Sequence, residues 1–163
     1  MIQDEWDAPA CASWVARLAL ELERADRPVV LAAHSAACAM VAHWAAGAAP
    51  RARRAVQAAL LVAPSDPAGP NYPPEPVGFH PVPMRPLPFP AIVIASDNDP
   101  YVSLERAREY ARAWGAEFVL LERAGHINVA SGHGRWAAGY ELLARLRNVP
   151  LEEPDAIRVR LHA

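Results

Sequence analysis

The sequence predicts an α/β fold in which a parallel β-sheet carries helices on both faces. Four short apolar runs, each the length of a buried strand, alternate with segments of helical character along the 163-residue chain. Strands that are joined through helices form parallel sheets by right-handed crossovers. The length corresponds to one domain over residues 1–163, which is large enough to bury a core.

Composition and charge exclude several classes of protein. Hydrophobic residues make up 53% of the chain and the net charge is −2, with no basic cluster, so we expect neither a nucleic-acid partner nor a membrane partner. No apolar run is long enough to span a bilayer, and no signal peptide is expected. The two cysteines, Cys11 and Cys38, lack metal-ligand spacing and are too few for a disulfide framework. We therefore expect a cytoplasmic protein.

The first half of the chain contains two predicted helices and two predicted strands. After an irregular start over residues 1–8, an apolar stripe at helical spacing predicts a helix over 9–24. The apolar run at 29–33 predicts a buried strand, and the Ala-rich stretch behind it predicts a helix that ends near residue 46. A second apolar run predicts a buried strand over 57–63.

Residues 64–90 form a proline-rich segment, which holds eleven of the seventeen prolines. Proline lacks an N–H donor and fixes φ, so this segment is predicted to be a long loop without a helix or a central strand. Long loops in compact domains are often functional. Our interpretation is that the part from Asp66 to about Met84 forms a wall of the active site. The alternative is a passive crossover.

The regular alternation resumes after residue 90. Apolar runs predict strands over 91–95 and 117–121. Ser103 as the N-cap and Gly115 as the terminator predict a helix that runs to about residue 114. Apolar residues on one face predict the last helix over 135–147. In the tail, 150–163, apolar and charged residues alternate, which is typical of a short edge strand, with a frayed end as the alternative.

Ser35 stands at the tip of the predicted turn between the first strand and the helix behind it. Residues 33–37 read Ala-His-Ser-Ala-Ala, whereas the nucleophile-elbow pattern is G-x-S-x-G, in which small residues let strand and helix approach closely. Alanine, the next smallest residue, occupies both glycine positions. The first N–H groups of the helix would favour negative charge beside the hydroxyl. The alternative is an ordinary His-Ser turn.

Polar residues follow three of the predicted strands, at the edge where active sites form in parallel sheets. Ser35 follows the first strand, Asp97 and Asp99 follow the third, and His126 follows the fourth. The order Ser, Asp, His is that of an α/β-hydrolase. We predict that Ser35 is the nucleophile, that His126 is its base and that an aspartate orients the histidine. Asp99 is preferred over Asp97 because it directly precedes Pro100 and the next helix.

The surroundings of the serine complete the predicted site. The N–H of Ala36 is expected to supply half of an oxyanion hole. The candidate substrate-pocket residues are His34, Asp97, Tyr101 and Ile127. No H-E-x-x-H or C-x-x-C spacing, phosphate loop or dinucleotide fingerprint is present, so we expect neither a metal nor a cofactor.

Residues 31–44, 87–102 and 114–139 resemble the small serine hydrolases related to retinoblastoma-binding protein nine and the bacterial YdeN-type proteins. The most specific pieces are Ser-Asp-Asn-Asp-Pro-Tyr at 96–101 and Ala-Gly-His-Ile-Asn at 124–128. The resemblance covers nearly all of residues 5–147. It implies a small three-layer α/β-hydrolase fold without a large cap domain, and a triad of Ser35, Asp99 and His126.

The same resemblance implies a further strand and a Gly/Ser loop ahead of Met1, and that loop would supply the second oxyanion N–H. If the chain starts at Met1, we expect an unpaired edge beside residues 29–33 and only half an oxyanion hole. An exposed edge invites pairing, so association of copies through it is expected. Coverage of the edge by residues 157–161 would contradict this.

These observations predict a serine hydrolase that acts on small esters or amides through a Ser-His-Asp triad. The alternative is a catalytically impaired binding or interaction module with the same fold, lacking part of the oxyanion hole.

Overall fold

The computed structural model describes residue 3 and residues 5–148, so the edge strand expected at 157–161 lies outside the described residues. The sheet contains four parallel strands in the order β1-β2-β3-β4. The strands are β1 Val29–His34, β2 Val56–Val62, β3 Ala91–Ser96 and β4 Glu117–Leu121.

Helices lie on both faces of this sheet. The helices are α1 Cys11–Glu23, α2 Ala36–Gly47, α3 Pro50–Arg53, α4 Leu104–Trp114 and α5 Ala137–Arg147. The short helix α3 and a turn of 3₁₀ helix at Val129–Ser131 are absent from the sequence-based prediction. Each is a single turn, too short to show an apolar period.

Two apolar cores separate the three layers. Side chains alternate across a strand, so neighbouring residues of β2 face opposite helices. Leu61 packs with residues of α1, α2 and α4, whereas Leu60 packs with residues of α5. The predicted three-layer α/β fold is therefore confirmed. Helices cover both faces of the sheet because its central strands are apolar on both faces. In β3, all six residues are buried.

The proline-rich segment between β2 and β3 contains neither helix nor strand, but it is tied to the helices at several points. Phe79 and Phe89 are buried in the core on the α1, α2 and α4 face. Cys11 N–H donates to the Val77 carbonyl, and Trp114 Nε1 donates to the Pro83 carbonyl, both at 2.9 Å. The backbone of this long connection therefore follows the surface of the helical layer, while its two phenylalanines pack into the core.

Strand β1 lies at one end of the sheet and pairs with β2 within the described part of the chain. Ala33 is buried, while Ala32 and His34 are exposed. This arrangement leaves the other side of β1 unpaired among the described residues.

Candidate active site

The sharp turn from β1 into α2 sets the position of the Ser35 hydroxyl. Ser35 has φ 58° and ψ −128°, a left-handed conformation that non-glycine residues rarely adopt. Its N–H donates to the Val62 carbonyl at 3.0 Å, which fixes the turn to the end of β2. Beneath the turn, the buried Cys38 thiol contacts the carbonyls of Ala33 and Val62, and burial raises the pKa of this thiol. Cys38 therefore packs under the turn as a small, protonated core residue.

Ser35, His126 and Asp99 form a continuous hydrogen-bonded chain. Ser35 Oγ lies 2.9 Å from His126 Nε2. His126 Nδ1 lies 2.8 Å from Asp99 Oδ2 and 3.0 Å from Oδ1. An ionised carboxylate only accepts hydrogen bonds, so Nδ1 carries the proton and Nε2 accepts the proton of the Ser35 hydroxyl. This tautomer is the one that can take up the hydroxyl proton.

Polar groups of the turn after β3 hold the loop that carries His126. Ser96 Oγ accepts a hydrogen bond from Ala124 N–H at 2.8 Å, and Asn98 Oδ1 accepts one from Gly125 N–H at 2.7 Å. Gly125 has φ +57°, and a Cβ there would lie 2.8 Å from the Cβ of Ser131. Glycine is required at this position because both the conformation and the close approach exclude a side chain.

Asp99 and Asp97 have different surroundings, although they are two residues apart. The Asp99 side chain is fully buried against His126, and its Oδ1 also accepts from Tyr101 N–H at 2.9 Å. Asp97 is exposed, and its Oδ1 accepts from Arg123 N–H at 2.6 Å. Asp99 therefore contacts His126, whereas Asp97 joins the turn after β3 to the turn after β4.

Two rings flank the imidazole of His126. The His34 ring lies 4.7 Å away and the Tyr101 ring lies 4.6 Å away, both edge-on. His34 Nε2 donates to the His126 carbonyl at 2.8 Å, since the carbonyl can only accept. Partial burial lowers the pKa of His34, and this favours the neutral ring beside His126.

A cleft of about 250 Å³ opens above the Ser35 hydroxyl. The lining residues are Ser35, Ala36, Ser65, Tyr72, Pro73, Pro76, Tyr101, His126 and Asn128. Ala36 is the first residue of α2, and its N–H stands at the positive end of that helix. The proline-rich segment thus provides one wall of the cleft, with Tyr72, Pro73 and Pro76.

Of the four candidate pocket residues, Tyr101 lines the cleft and the other three do not. A role of those three in substrate binding stays a prediction. His34 faces an apolar cleft of about 390 Å³ along the edge of β1, because it lies on the strand rather than after it. Asp97 is engaged with Arg123, and Ile127 turns into the core beneath α5.

Ser65, Tyr72 and Asn128 line the cleft but were absent from the sequence-based prediction. Ser65 comes just after β2, so the rule that polar residues collect at the carboxyl ends of strands would have selected it. Nothing in the local pattern around Tyr72 indicates the cleft, because a proline-rich loop has no period.

Within residues 3 and 5–148, no group of three or more histidine, cysteine, aspartate or glutamate side chains is placed to hold a metal ion. None of the helices in this part of the chain is long and apolar enough to cross a membrane.

Comparison with known proteins gives consistent results. A family model described as serine hydrolase matches residues 1–145. A structure from Pectobacterium atrosepticum, described as a YdeN-like hydrolase, is 31% identical with a TM-score of 0.76, over 90% of this chain and 74% of that chain. No curated protein matches the sequence significantly.

Two more distant structures share the fold. The ydeN gene product of Bacillus subtilis is 17% identical, with a TM-score of 0.66 over 90% of this chain and 80% of that one. A hydrolase assigned to the alpha/beta superfamily from Xanthomonas campestris is 19% identical, with a TM-score of 0.57 over 85% of this chain and 70% of that one.

Proposed function

Because the chain belongs to the serine hydrolase family, we propose that it hydrolyses small esters or amides with Ser35 as nucleophile, His126 as general base and Asp99 as the orienting acid. The observation that supports this most directly is the 2.9 Å contact between Ser35 Oγ and His126 Nε2, backed by the carboxylate of Asp99 at 2.8 Å. A cleft of about 250 Å³ favours small substrates.

In the proposed acylation step, the Ser35 oxygen attacks the substrate carbonyl carbon while His126 Nε2 takes the hydroxyl proton. The electron pair of the carbonyl bond moves to the carbonyl oxygen, and the N–H of Ala36 stabilises the resulting negative charge. The tetrahedral intermediate then collapses, and the leaving alcohol or amine takes the proton from His126. Asp99 stabilises the transient imidazolium and keeps its tautomer.

In the proposed second step, water repeats the sequence on the acyl-enzyme. His126 takes a proton from the water as it attacks the ester carbon, and it returns that proton to Ser35 as the acid product leaves. The reaction consumes one water, and every proton is accounted for by the histidine. No metal or cofactor takes part in this proposal.

The experiment that tests the proposal is labelling with a fluorophosphonate, which reacts with activated serines, together with hydrolysis of short p-nitrophenyl esters. Wild type is compared with Ser35→Ala and with Ser13→Ala, an exposed serine of α1 that serves as the matched control. We expect Ser35→Ala to lose labelling and turnover and Ser13→Ala to keep both.

Two results would contradict the proposal. Labelling that persists in Ser35→Ala would place the reactive nucleophile elsewhere. A folded wild-type chain that neither labels nor turns over esters would favour the binding module of the same fold.

A further inference from the structure

We infer that Ser65 is a further catalytic residue, whose side-chain hydroxyl donates to the negative charge that develops on the substrate oxygen beside Ser35. The inference rests on the proposed function and adds a second donor to the N–H of Ala36. Both Ser65 and Ala36 line the cleft above the nucleophile.

The backbone is strained at the point that delivers Ser65 to the cleft. Ala63, directly after β2, has φ +47°, and its N–H donates to the Ile94 carbonyl at 2.7 Å. A non-glycine residue in this region is strained, and the strain persists only where the surrounding structure imposes it. Ser35, at the end of the neighbouring strand, also has a positive φ. Two adjacent strands therefore end in strained turns that bring two serines together.

The Ser65 hydroxyl is buried, with 4% of the residue exposed, and its Oγ lies 3.4 Å from Ser35 Oγ. Within the part of the chain that the structure describes, Ser35 is the one polar partner of this hydroxyl. Most buried side-chain polar atoms have a hydrogen-bond partner, and that partner is more often a backbone group or water than another side chain. A long contact to the nucleophile is therefore a sign that the hydroxyl serves the reaction.

Counting protons assigns the direction of this contact. Ser35 has one hydroxyl proton, and the tautomer of His126 directs it to Nε2. The proton between the two serines must then belong to Ser65, so Ser65 donates and Ser35 Oγ accepts. In the free protein, this leaves the Ser65 donor aimed at the atom that will attack the substrate.

The donor is most useful after the attack has begun. As Ser35 Oγ bonds to the carbonyl carbon, its proton passes to His126 and the charge appears on the former carbonyl oxygen, next to Oγ. A hydroxyl that already points at Oγ needs only a rotation of its O–H about the Cβ–Oγ bond to point at that oxygen. It costs little reorganisation at the moment of reaction, which is the condition for effective electrostatic stabilisation.

The test compares wild type, Ser65→Ala and the exposed-serine control Ser13→Ala in three measurements. These are kcat and KM on short p-nitrophenyl esters, the second-order rate of fluorophosphonate labelling, and the inhibition constant of an aryl trifluoromethyl ketone. The ketone adds to the serine oxygen and forms a tetrahedral oxyanion, so its affinity reports the oxyanion donors.

We expect Ser65→Ala to lower kcat by about 10²- to 10³-fold, the usual effect of losing one oxyanion donor, with KM nearly unchanged. Labelling rate and ketone affinity should fall by a similar factor, while the pH profile keeps its shape because the base is still His126. Ser65→Cys keeps nearly the same volume but donates weakly. It should be impaired in the same way, and it replaces the alanine variant if that variant does not fold.

The inference is overturned if kcat stays within about threefold of wild type, a change too small for a lost oxyanion donor. It is also overturned if kcat falls while ketone affinity does not, because Ser65 would then only orient Ser35. Ser35-dependent labelling at the wild-type rate in Ser65→Ala would remove this inference and leave the proposed function standing. Absence of Ser35-dependent labelling in wild type would remove both.

Discussion

At the scale of single residues, backbone strain is concentrated around the candidate site. Among the described residues, five non-glycine residues have positive φ, and four of them follow the carboxyl ends of strands. These four are Ser35, Ala63, Arg123 and Ile127. Each such conformation costs about 1–3 kcal/mol and is kept only where surrounding contacts impose it. The strain therefore marks the turns that place Ser35, Ser65 and His126.

The two neighbouring aspartates allow a matched test of the orienting acid. Asp99→Asn keeps the shape of the side chain but can present an N–H to His126, which favours the wrong tautomer. If Asp99 orients His126 as proposed, kcat falls by about 10⁴-fold, the loss known for this change in Ser-His-Asp enzymes. Asp97→Asn makes the same chemical change at an exposed carboxylate and should stay within about threefold of wild type. Equal losses in the two variants, measured on the same ester, would refute the assignment of Asp99.

His34 predicts a pH dependence of stability. Partial desolvation of its ring, which lies against His126, lowers its pKa in the folded chain from 6.5. The unfolded chain therefore binds a proton that the folded chain does not at pH values just below 6.5. Stability should therefore fall as the pH decreases below 6.5. His34→Gln keeps an N–H donor for the His126 carbonyl but does not titrate. We expect the urea midpoint of His34→Gln to change less than that of wild type as the pH falls below 6.5. Equal changes in the two proteins would contradict the prediction.

At the scale of elements, Asp66 ties the proline-rich segment to α4. Its Oδ1 accepts from the hydroxyl of the buried Tyr110 at 3.1 Å, and its N–H donates to the Tyr101 carbonyl at 2.9 Å. A few residues later, Asn71 Nδ2 donates to the Pro100 carbonyl at 2.9 Å. The segment that bears Tyr72 is thus fixed on the helix and turn that also place Asp99.

Asp66→Ala should loosen this wall of the cleft and leave the Tyr110 hydroxyl without its carboxylate partner. We expect a loss of about 1–3 kcal/mol in the free energy of unfolding, the usual cost of an unsatisfied buried polar group. KM should rise more than kcat falls, because the contacts among Ser35, His126 and Asp99 are untouched. Tyr110→Phe removes the other partner, and the double variant should lose less stability than the sum of the single variants. Additive losses would show that the contact is not coupled.

At the scale of the whole molecule, the sheet has two edges with different surroundings. Among the described residues, one side of β1 has no partner strand, and it lies beside an apolar cleft of about 390 Å³. The exposed Trp6 lines this cleft, 5.3 Å from the Trp14 ring. Exposed strand edges beside apolar surface pair readily with other strands. We propose that copies of this chain associate through the β1 edge.

A lysine on the exposed face of β1 should suppress that association, since edge lysines block strand addition. We expect Ala32→Lys to have a lower weight-average molar mass in sedimentation equilibrium than wild type at the same concentration, closer to the mass of the monomer. The matched control is Leu120→Lys, on the exposed side of β4 at the other edge. This variant should have the same average mass as wild type. A wild-type chain that is monomeric at every concentration, or an equal effect of both variants, would contradict the proposal.

The sequence by itself determined the fold class, the order of the strands along the chain and most strand and helix boundaries to within a residue or two. β4 at Glu117–Leu121 coincides with its prediction, and α5 begins two residues later than predicted. The spacing of apolar residues and the length of each apolar segment are local properties of the sequence, so they indicate helices and strands without knowledge of the tertiary structure. The positions of Ser35, Asp99 and His126 after three strands follow from the same patterns, together with the rule that parallel strands end at one edge.

Only the tertiary structure decided which residues surround the serine. His34 and Ile127 lie next to Ser35 and His126 in sequence, yet β1 and the turn after Gly125 direct their side chains away from the cleft. Ser65 and Tyr72, far from Ser35 in sequence, line the cleft instead. Their approach depends on strained turns and on the packing of a proline-rich loop against α4. Those long-range contacts leave no period in the sequence, so only the folded chain reveals them.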